Sequence, residues 1–336
     1  MTGFRGKVLL FLSILCAGLL SLAIPASAVF QKEQEKYELR GKIQKEDGQP
    51  IPKVFPVIVL RGSITPFVAR TQAGPGGTFK FKNLLPGMYT VVAHIPRAGY
   101  IEKTLEIGPS FADSRNRVRV ELTYVPGAAA SEYLVSANEL SVPQKAWNEY
   151  EKAQISQSRW DVDAAVRHLE RAVRIAPQFT DAWNNLGTIA YHSRKYAEAE
   201  HYFREALKQE SDAYSPLVNL GGALLSQGKI EESLEINLQA VRARPDDALG
   251  QAQLGQSYYY LGRFDEAEEH LKRAKQLDPS HFSYPQLVLA EIYRRQGKSP
   301  AFISELEEFL EFHPDSSEAP EIRRLLQKAR AQQPAP

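Results

Sequence analysis

Few residues of this chain could do chemistry, and their spacing says more than their number. Seven histidines and one cysteine occur in 336 residues. Cys16 is the cysteine, and it sits in an apolar N-terminal run. Disulfides, thiolate metal sites and cysteine nucleophiles are therefore excluded from everything that follows it. His192, His201 and His270 fall among charged neighbours at no ligand spacing, and no H-E-x-x-H pattern occurs. The expectation is no catalytic residue, no metal, no cofactor, and hence no enzyme. Gly74-Pro75-Gly76-Gly77 is the one candidate phosphate cradle. A phosphate loop needs a helix start behind it, so that N–H groups and helix dipole converge on the anion. Here Thr78-Phe79-Lys80-Phe81 follows, with the rings on one strand face and the lysine between them on the other. The stretch reads as a turn.

Arg115, Arg117 and Arg119 alternate ahead of Val118, Val120 and Leu122, which puts three cations on one strand face. Such a stripe guards a sheet edge against strand addition. Its other reading is contact with an anion: a phospholipid headgroup, an acidic polysaccharide, or the acidic second half of this chain.

The elements that must carry these residues follow from composition and periodicity. Arg5 and Lys7, the apolar run Val8 to Ile24 and Pro25-Ala26-Ser27-Ala28 have the order of a secretory signal peptide, residues 1–28, cleaved after Ala28. If it were not cleaved, the same run would be the only membrane attachment. The rest is then periplasmic or secreted, in a bacterial setting. Net charge is +1, which excludes a general affinity for nucleic acid. The distribution is uneven: residues 36–124 carry a net +7 and residues 125–336 a net −7. Between 36 and 124 the apolar period is two. Val57-Ile58-Val59-Leu60, Thr78-Phe79-Lys80-Phe81 and Tyr89-Thr90-Val91-Val92 are separated by turn signals such as Asp47-Gly48-Gln49-Pro50 and Pro86-Gly87. About seven short strands without helices between them predict an antiparallel β-sandwich. Residues 125–143 read as a linker, and helical periodicity runs from 144 onward.

The helical part repeats. Leu186-Gly187, Leu220-Gly221 and Leu254-Gly255 are spaced by 34 residues, as are Ala206, Ala240 and Ala274. This resembles the tetratricopeptide repeat, a helix–turn–helix unit that stacks into an α-solenoid. Five units over 144–316 are expected, then a capping helix at 317–331. The third unit departs at Ser233 and Asn237, and the fifth is shifted by one residue, with Phe302 and Phe309 in alanine positions. The resemblance implies a concave groove lined by the first helix of each unit. In that register it presents Trp147, Tyr150, Asn184, Tyr191, His192, Gln256, Tyr259, Tyr260, Tyr284 and Arg295. Rings and amides suit a binding surface, although tyrosines at this spacing also pack between units. No lysine–asparagine clamp for a carboxylate is present, since Val218, Ala252 and Leu287 occupy those places.

Leu39-Arg40-Gly41-Lys42-Ile43, Asp47-Gly48-Gln49-Pro50-Ile51 and the run from Gly77 through Pro86-Gly87-Met88-Tyr89 occur in order. They resemble the carboxypeptidase regulatory-like domain, a transthyretin-like sandwich without catalytic residues. Together the resemblances imply a non-catalytic adaptor that holds a protein or peptide partner in the groove. The alternative is attachment to carbohydrate or the cell envelope through the sandwich, with Tyr100 or Phe111 stacking on sugar rings and an envelope polysaccharide as ligand.

Overall fold

The computed structural model describes residues 35–45, 56–63, 65–95, 99–124 and 141–332. The signal segment 1–28, the turn at 47–50 and most of the linker lie outside these residues, as does the Tyr100 side chain.

Seven strands form two sheets. Strands β4 (Thr78–Leu84), β1 (Tyr37–Lys45) and β7 (Arg117–Tyr124) make one sheet in that order. The other is β3 (Val68–Gln72), β2 (Val57–Gly62), β5 (Gly87–Ile95) and β6 (Gly99–Ile107). All ladders are antiparallel but one: β1 and β7 run parallel, with Arg40 opposite Arg119 and Ile43 opposite Leu122. The period-two pattern explains the layers. Leu39, Ile43, Phe79, Phe81, Val118, Val120 and Leu122 point inward from the three-stranded sheet. They meet Ile58, Leu60, Tyr89, Val91, Ala93 and Ile107 of the four-stranded one, and each residue inserted between is turned outward. Gly74 to Gly77 close as a single 3-10 turn at Pro75–Gly77, with Gly76 at φ 74° and Gly77 at φ 75°, and lead straight into β4. No helix stands behind them, so the turn reading holds.

Eleven helices follow among the described residues, stacked as hairpins: α1 (Gln144–Ser158) with α2 (Val162–Ile175), α3 (Thr180–His192) with α4 (Tyr196–Gln209), and α5 (Tyr214–Ser226) with α6 (Ile230–Ala243). Next come α7 (Ala248–Tyr260) with α8 (Phe264–Leu277), α9 (Pro285–Arg295) with α10 (Ser299–Phe312), and α11 (Ala319–Ala331). Multidomain β + α architecture, a sandwich and then an α-solenoid, is what the two periodicities predict. The hairpins cross closely because small residues meet large ones. A Cβ at Gly187 would strike the Phe203 ring, and one at Gly255 would lie 2.7 Å from Leu271. Each hairpin turn ends on a left-handed residue at the same repeat position: Trp160, Arg194, Gly228, Gly262 and Gly297. Glycine adopts φ near +70° without strain, whereas a side chain costs roughly 1 kcal/mol there.

Two departures from the repeat acquire a physical reason. Asn237 and Ser233 are fully buried, and they form a polar network. Ser233 Oγ donates to the Gly221 carbonyl at 2.9 Å, and Asn237 Nδ2 donates to Ser233 Oγ at 3.0 Å and to Ser257 Oγ at 3.1 Å. The extra residue of the fifth unit is absorbed at Tyr284, whose φ of 50° turns the chain into Pro285 at the start of α9. Phe302 and Phe309 then fill the core between α9 and its neighbours.

Candidate groove and the seam between the domains

The first helices α1, α3, α7 and α9, with Tyr284 just ahead of α9, carry the sequence-predicted groove residues, and packing divides them. Trp147 and Tyr150 stack against Phe179, with ring centroids 4.5 and 5.0 Å away, so they join the first unit to the second. Tyr150 Oη also accepts from Asn185 Nδ2 at 3.1 Å. Tyr284 lies 5.2 Å from Phe309 and 4.7 Å from His313, and burial raises its pKa. Tyr259 is buried beside Phe264, with the Arg295 guanidinium 5.4 Å from its ring. Tyr191 shares a hydrogen bond with Ser226 Oγ at 3.2 Å and packs on Tyr196. Gln256 Nε2 reaches the Ser283 carbonyl at 3.5 Å. These six spend most of their surface between units.

The remaining four keep polar atoms or surface toward solvent. Tyr260 is 38% exposed, and Arg295 is exposed while its Nε donates to Glu291 at 2.7 Å. Half-buried His192 is held neutral, because desolvation lowers its pKa to about 4. Asn184 Oδ1 accepts from Asn219 Nδ2 at 3.0 Å. Asn219 was not among the expected residues, although its place 34 positions after Asn185, in phase with the repeat, was a usable signal. Val218, Ala252 and Leu287 are buried, so nothing polar stands at those positions. A shallow depression outside the predicted set is lined by Glu170, Arg174, Trp183, His201 and Tyr202, where Trp183 stacks on Tyr202 at 6.1 Å.

One rim of this solenoid is occupied by the sandwich. The outer face of β5 and β6, opposite the sandwich core, is also buried: Met88, Thr90 and Val92 on β5, Thr104 and Glu106 on β6. β6 and the loop after it run along the loops that join successive units. Ser280 Oγ, between α8 and α9, donates to the Thr104 carbonyl at 2.9 Å. Asp315, between α10 and α11, accepts from Ser110 N at 2.9 Å and Ser110 Oγ at 2.6 Å. At the other end Phe67 packs 4.9 Å from the Trp160 ring, in the turn between α1 and α2. Trp160 therefore occupies a left-handed turn position where three other units have glycine, and it makes the contact a glycine could not.

The seam is rich in acids. Glu106 is 6% exposed and its Oε2 has no hydrogen-bond partner. Burial pushes its carboxyl up to about 7; the Asp315 charge adds to this, the Asp315 backbone N–H works against it, and Glu318 adds a smaller repulsion. Glu102 lies in the field of Asp247, Asp278, Arg61 and Arg244 and is pushed up to about 7, chiefly by desolvation. Its side chain keeps solvent contact, so water screens it and Glu106 is the stronger case. Asp181 at the start of α3 feels Arg61 of β2 across the same seam.

The arginine stripe is shorter than expected. β7 begins at Arg117, so Arg115 lies in the preceding loop, where its backbone N–H donates to Asp113 Oδ1 at 2.9 Å. Arg117 Nε donates to Asp113 Oδ2 at 2.8 Å, and this bond holds the Asp113 carboxyl well below the usual carboxylate range. Arg119 alone of the three stands exposed on the strand itself. Among the described residues no group of three or more His, Asp or Glu is arranged to hold a metal ion.

Family models named tetratricopeptide repeat match residues 150–216, 193–248 and 248–281. A protein STIP1 homolog of Dictyostelium discoideum is 28% identical over 120 residues, 35% of this chain and 21% of that protein. The TPR repeat-containing thioredoxin TTL4 of Arabidopsis thaliana is 31% identical over 107 residues, 31% of this chain and 15% of that protein. The chain thus spans a minor part of the curated relatives it matches. Among solved structures, TTC0263, a thermophilic TPR protein of Thermus thermophilus, is 22% identical with a TM-score of 0.45, covering 55% of this chain and 99% of that one.

Proposed function

We propose that this chain, whose helical part is built of tetratricopeptide repeats, is a non-catalytic adaptor that holds a peptide or protein segment against the first helices of the solenoid. Such repeats are protein–protein interaction scaffolds, typically without catalysis. The observation that carries the reading is the set of Asn184, Asn219, His192, Tyr260 and Arg295, which face solvent from successive first helices while the sandwich takes the rim at the joining loops. Amides can bond an extended backbone, and an exposed tyrosine and an exposed arginine are residue types that dominate interface energies. Peptide capture from an envelope extract tests it. Tyr260→Ala with Arg295→Ala should lose the captured partner while the helical signal and melting temperature stay in place. Retention of the partner by that variant rejects this groove assignment.

We place the protein in the periplasm or outside the cell on the strength of the N-terminal segment, and N-terminal sequencing should find Val29 first. The sandwich is proposed as carboxypeptidase regulatory-like. Attachment to an envelope polysaccharide through it is the alternative, and Phe111, 42% exposed, is the ring available for stacking. Glycan-array binding that disappears with Phe111→Ala would favour that alternative.

A further inference from the structure

The outward face of the three-stranded sheet has an arrangement the fold does not require. Register sets its side chains in rows across β4, β1 and β7. One row is Lys80, Arg40 and Arg119, three cations on adjacent strands. Directly opposed like charges destabilise a sheet, by a few tenths of a kcal/mol or more per pair. Lys82 and Lys42 extend the patch on either side, and all five side chains are exposed. Glu38 answers Arg40 and also lies in the field of Lys80 and Lys82. Lys42 faces Glu121, which accepts from Gln44 Nε2 at 3.3 Å. Lys80, Lys82 and Arg119 have no ion-pair partner among the described residues. The face is a positive surface three strands wide, roughly 10 Å across.

What could rest on it follows from what it lacks. No aromatic or aliphatic side chain points outward from these strands: the outward positions hold Thr78, Lys80, Lys82, Glu38, Arg40, Lys42, Gln44, Arg117, Arg119, Glu121 and Thr123. A neutral sugar is held largely by stacking on a ring, and a protein partner needs a buried anchor to supply affinity. An array of long, mobile cations over a nearly flat sheet suits a ligand that is itself a laterally adjustable sheet of negative charge. We propose that the outward face of β4, β1 and β7 docks on an anionic lipid bilayer. The acidic solenoid lies across the sandwich on its other sheet, so the charge halves of the chain are arranged to leave this face toward the membrane and the repeats away from it.

The test is co-sedimentation of the full chain with vesicles of phosphatidylglycerol and phosphatidylcholine, or of phosphatidylcholine alone, at low and high salt. Lys80→Glu with Arg119→Glu is compared with Arg324→Glu and Lys328→Glu on α11, which change the net charge equally. Each surface cation is worth roughly fivefold in partition. The sheet variant should bind anionic vesicles at least roughly thirtyfold more weakly than wild type, and the α11 variant should bind almost as wild type. Wild-type binding should fall steeply with salt, and vesicles of phosphatidylcholine alone should not distinguish the proteins. The apolar run Val8–Ile24 is common to all three, so their difference reads the face. The melting temperature of the sheet variant should be unchanged or raised, because a glutamate opposite Arg40 replaces repulsion with attraction. Equal binding by the sheet variant and wild type overturns the proposal. Tighter binding of wild type to an acidic polysaccharide than to the vesicles, lost in the same variant, also overturns it and assigns the face to a glycan.

Discussion

The two sheets of the sandwich share one core and differ in what lies on their outer faces. β5 and β6 turn Met88, Thr90, Val92, Thr104 and Glu106 outward, and all are buried against the solenoid. β4, β1 and β7 turn Lys80, Arg40 and Arg119 outward, and all are exposed. Four of the five residues on the first face are uncharged, and Glu106 sheds its charge with a carboxyl raised to about 7, so this face loses its water at the smaller cost. The second would have to strip a row of cations to be covered by anything but negative charge. The choice of which sheet docks on the repeats therefore follows from desolvation. Net charge, +7 against −7, suggests the opposite pairing; the acidic solenoid meets the less basic face.

Breaking the buried face should have the largest effect. Thr104→Glu puts a further carboxylate between Glu102 and Glu106 in a seam already rich in acids, which costs about 3 kcal/mol or more. Small-angle scattering should show an increased radius of gyration, and calorimetry should show the sandwich melting apart from the repeats. An unchanged single transition would mean that the seam is not a cooperative interface.

The seam also sets a pH dependence. The Glu106 carboxyl is raised from 4.5 to about 7 in the docked state. Docking is therefore favoured fully below about 4.5, where the carboxyl is protonated whether docked or not, and loses strength as pH rises toward and through 7. The span is on the order of 3 kcal/mol at most. The melting temperature of wild type should fall relative to that of Glu106→Gln over that window; a difference that does not change with pH would assign the effect to another group.

Trp160 gives a comparison within the repeat. Arg194→Gly relieves a left-handed side chain and should raise stability by about 1 kcal/mol. Trp160→Gly relieves the same strain yet removes the ring from Phe67, so the net should be a loss of about 1–2 kcal/mol with weakened docking. Thermal denaturation of the two variants side by side reads the difference, and an equal gain in both would deny Trp160 its role at the seam. On the exposed face, Lys80→Glu should have the smallest effect, a gain of about 0.5 kcal/mol from the removed repulsion. A loss in the chemical-denaturation midpoint would show that the row is not under electrostatic strain.

Much of the architecture was legible because it is local. The alternation of Leu39, Gly41 and Ile43 marks an inward strand face, and the 34-residue step from Gly187 to Gly221 and Gly255 marks the close crossings. The site was less legible. Tyr259 and Tyr260 are neighbours in one helix, and only packing against Phe264 and Arg295 decides that the first is buried and the second reaches solvent. Asn219 repeats Asn185 at the 34-residue step, but its bond goes to the neighbouring Asn184, a pairing that requires the stack. Arg117 is tied down by an aspartate four residues earlier, a short-range signal that the stripe pattern concealed.

What the sequence by itself determined is what travels through bonds: strand and helix faces, the length of each hairpin, and the left-handed turns that call for Gly228, Gly262 and Gly297. Even the double burial of β5 is written locally, in Met88 and Val92 on one face and Tyr89 and Val91 on the other. What only the tertiary structure decided joins residues far apart in the chain. The parallel pairing of β1 with β7 aligns Arg40 with Arg119, and the seam brings Thr104 to Ser280. Periodicity repeats every two or four residues and carries no information about which distant strand or loop will close the contact. That is settled by the burial and desolvation balance of the whole assembled molecule.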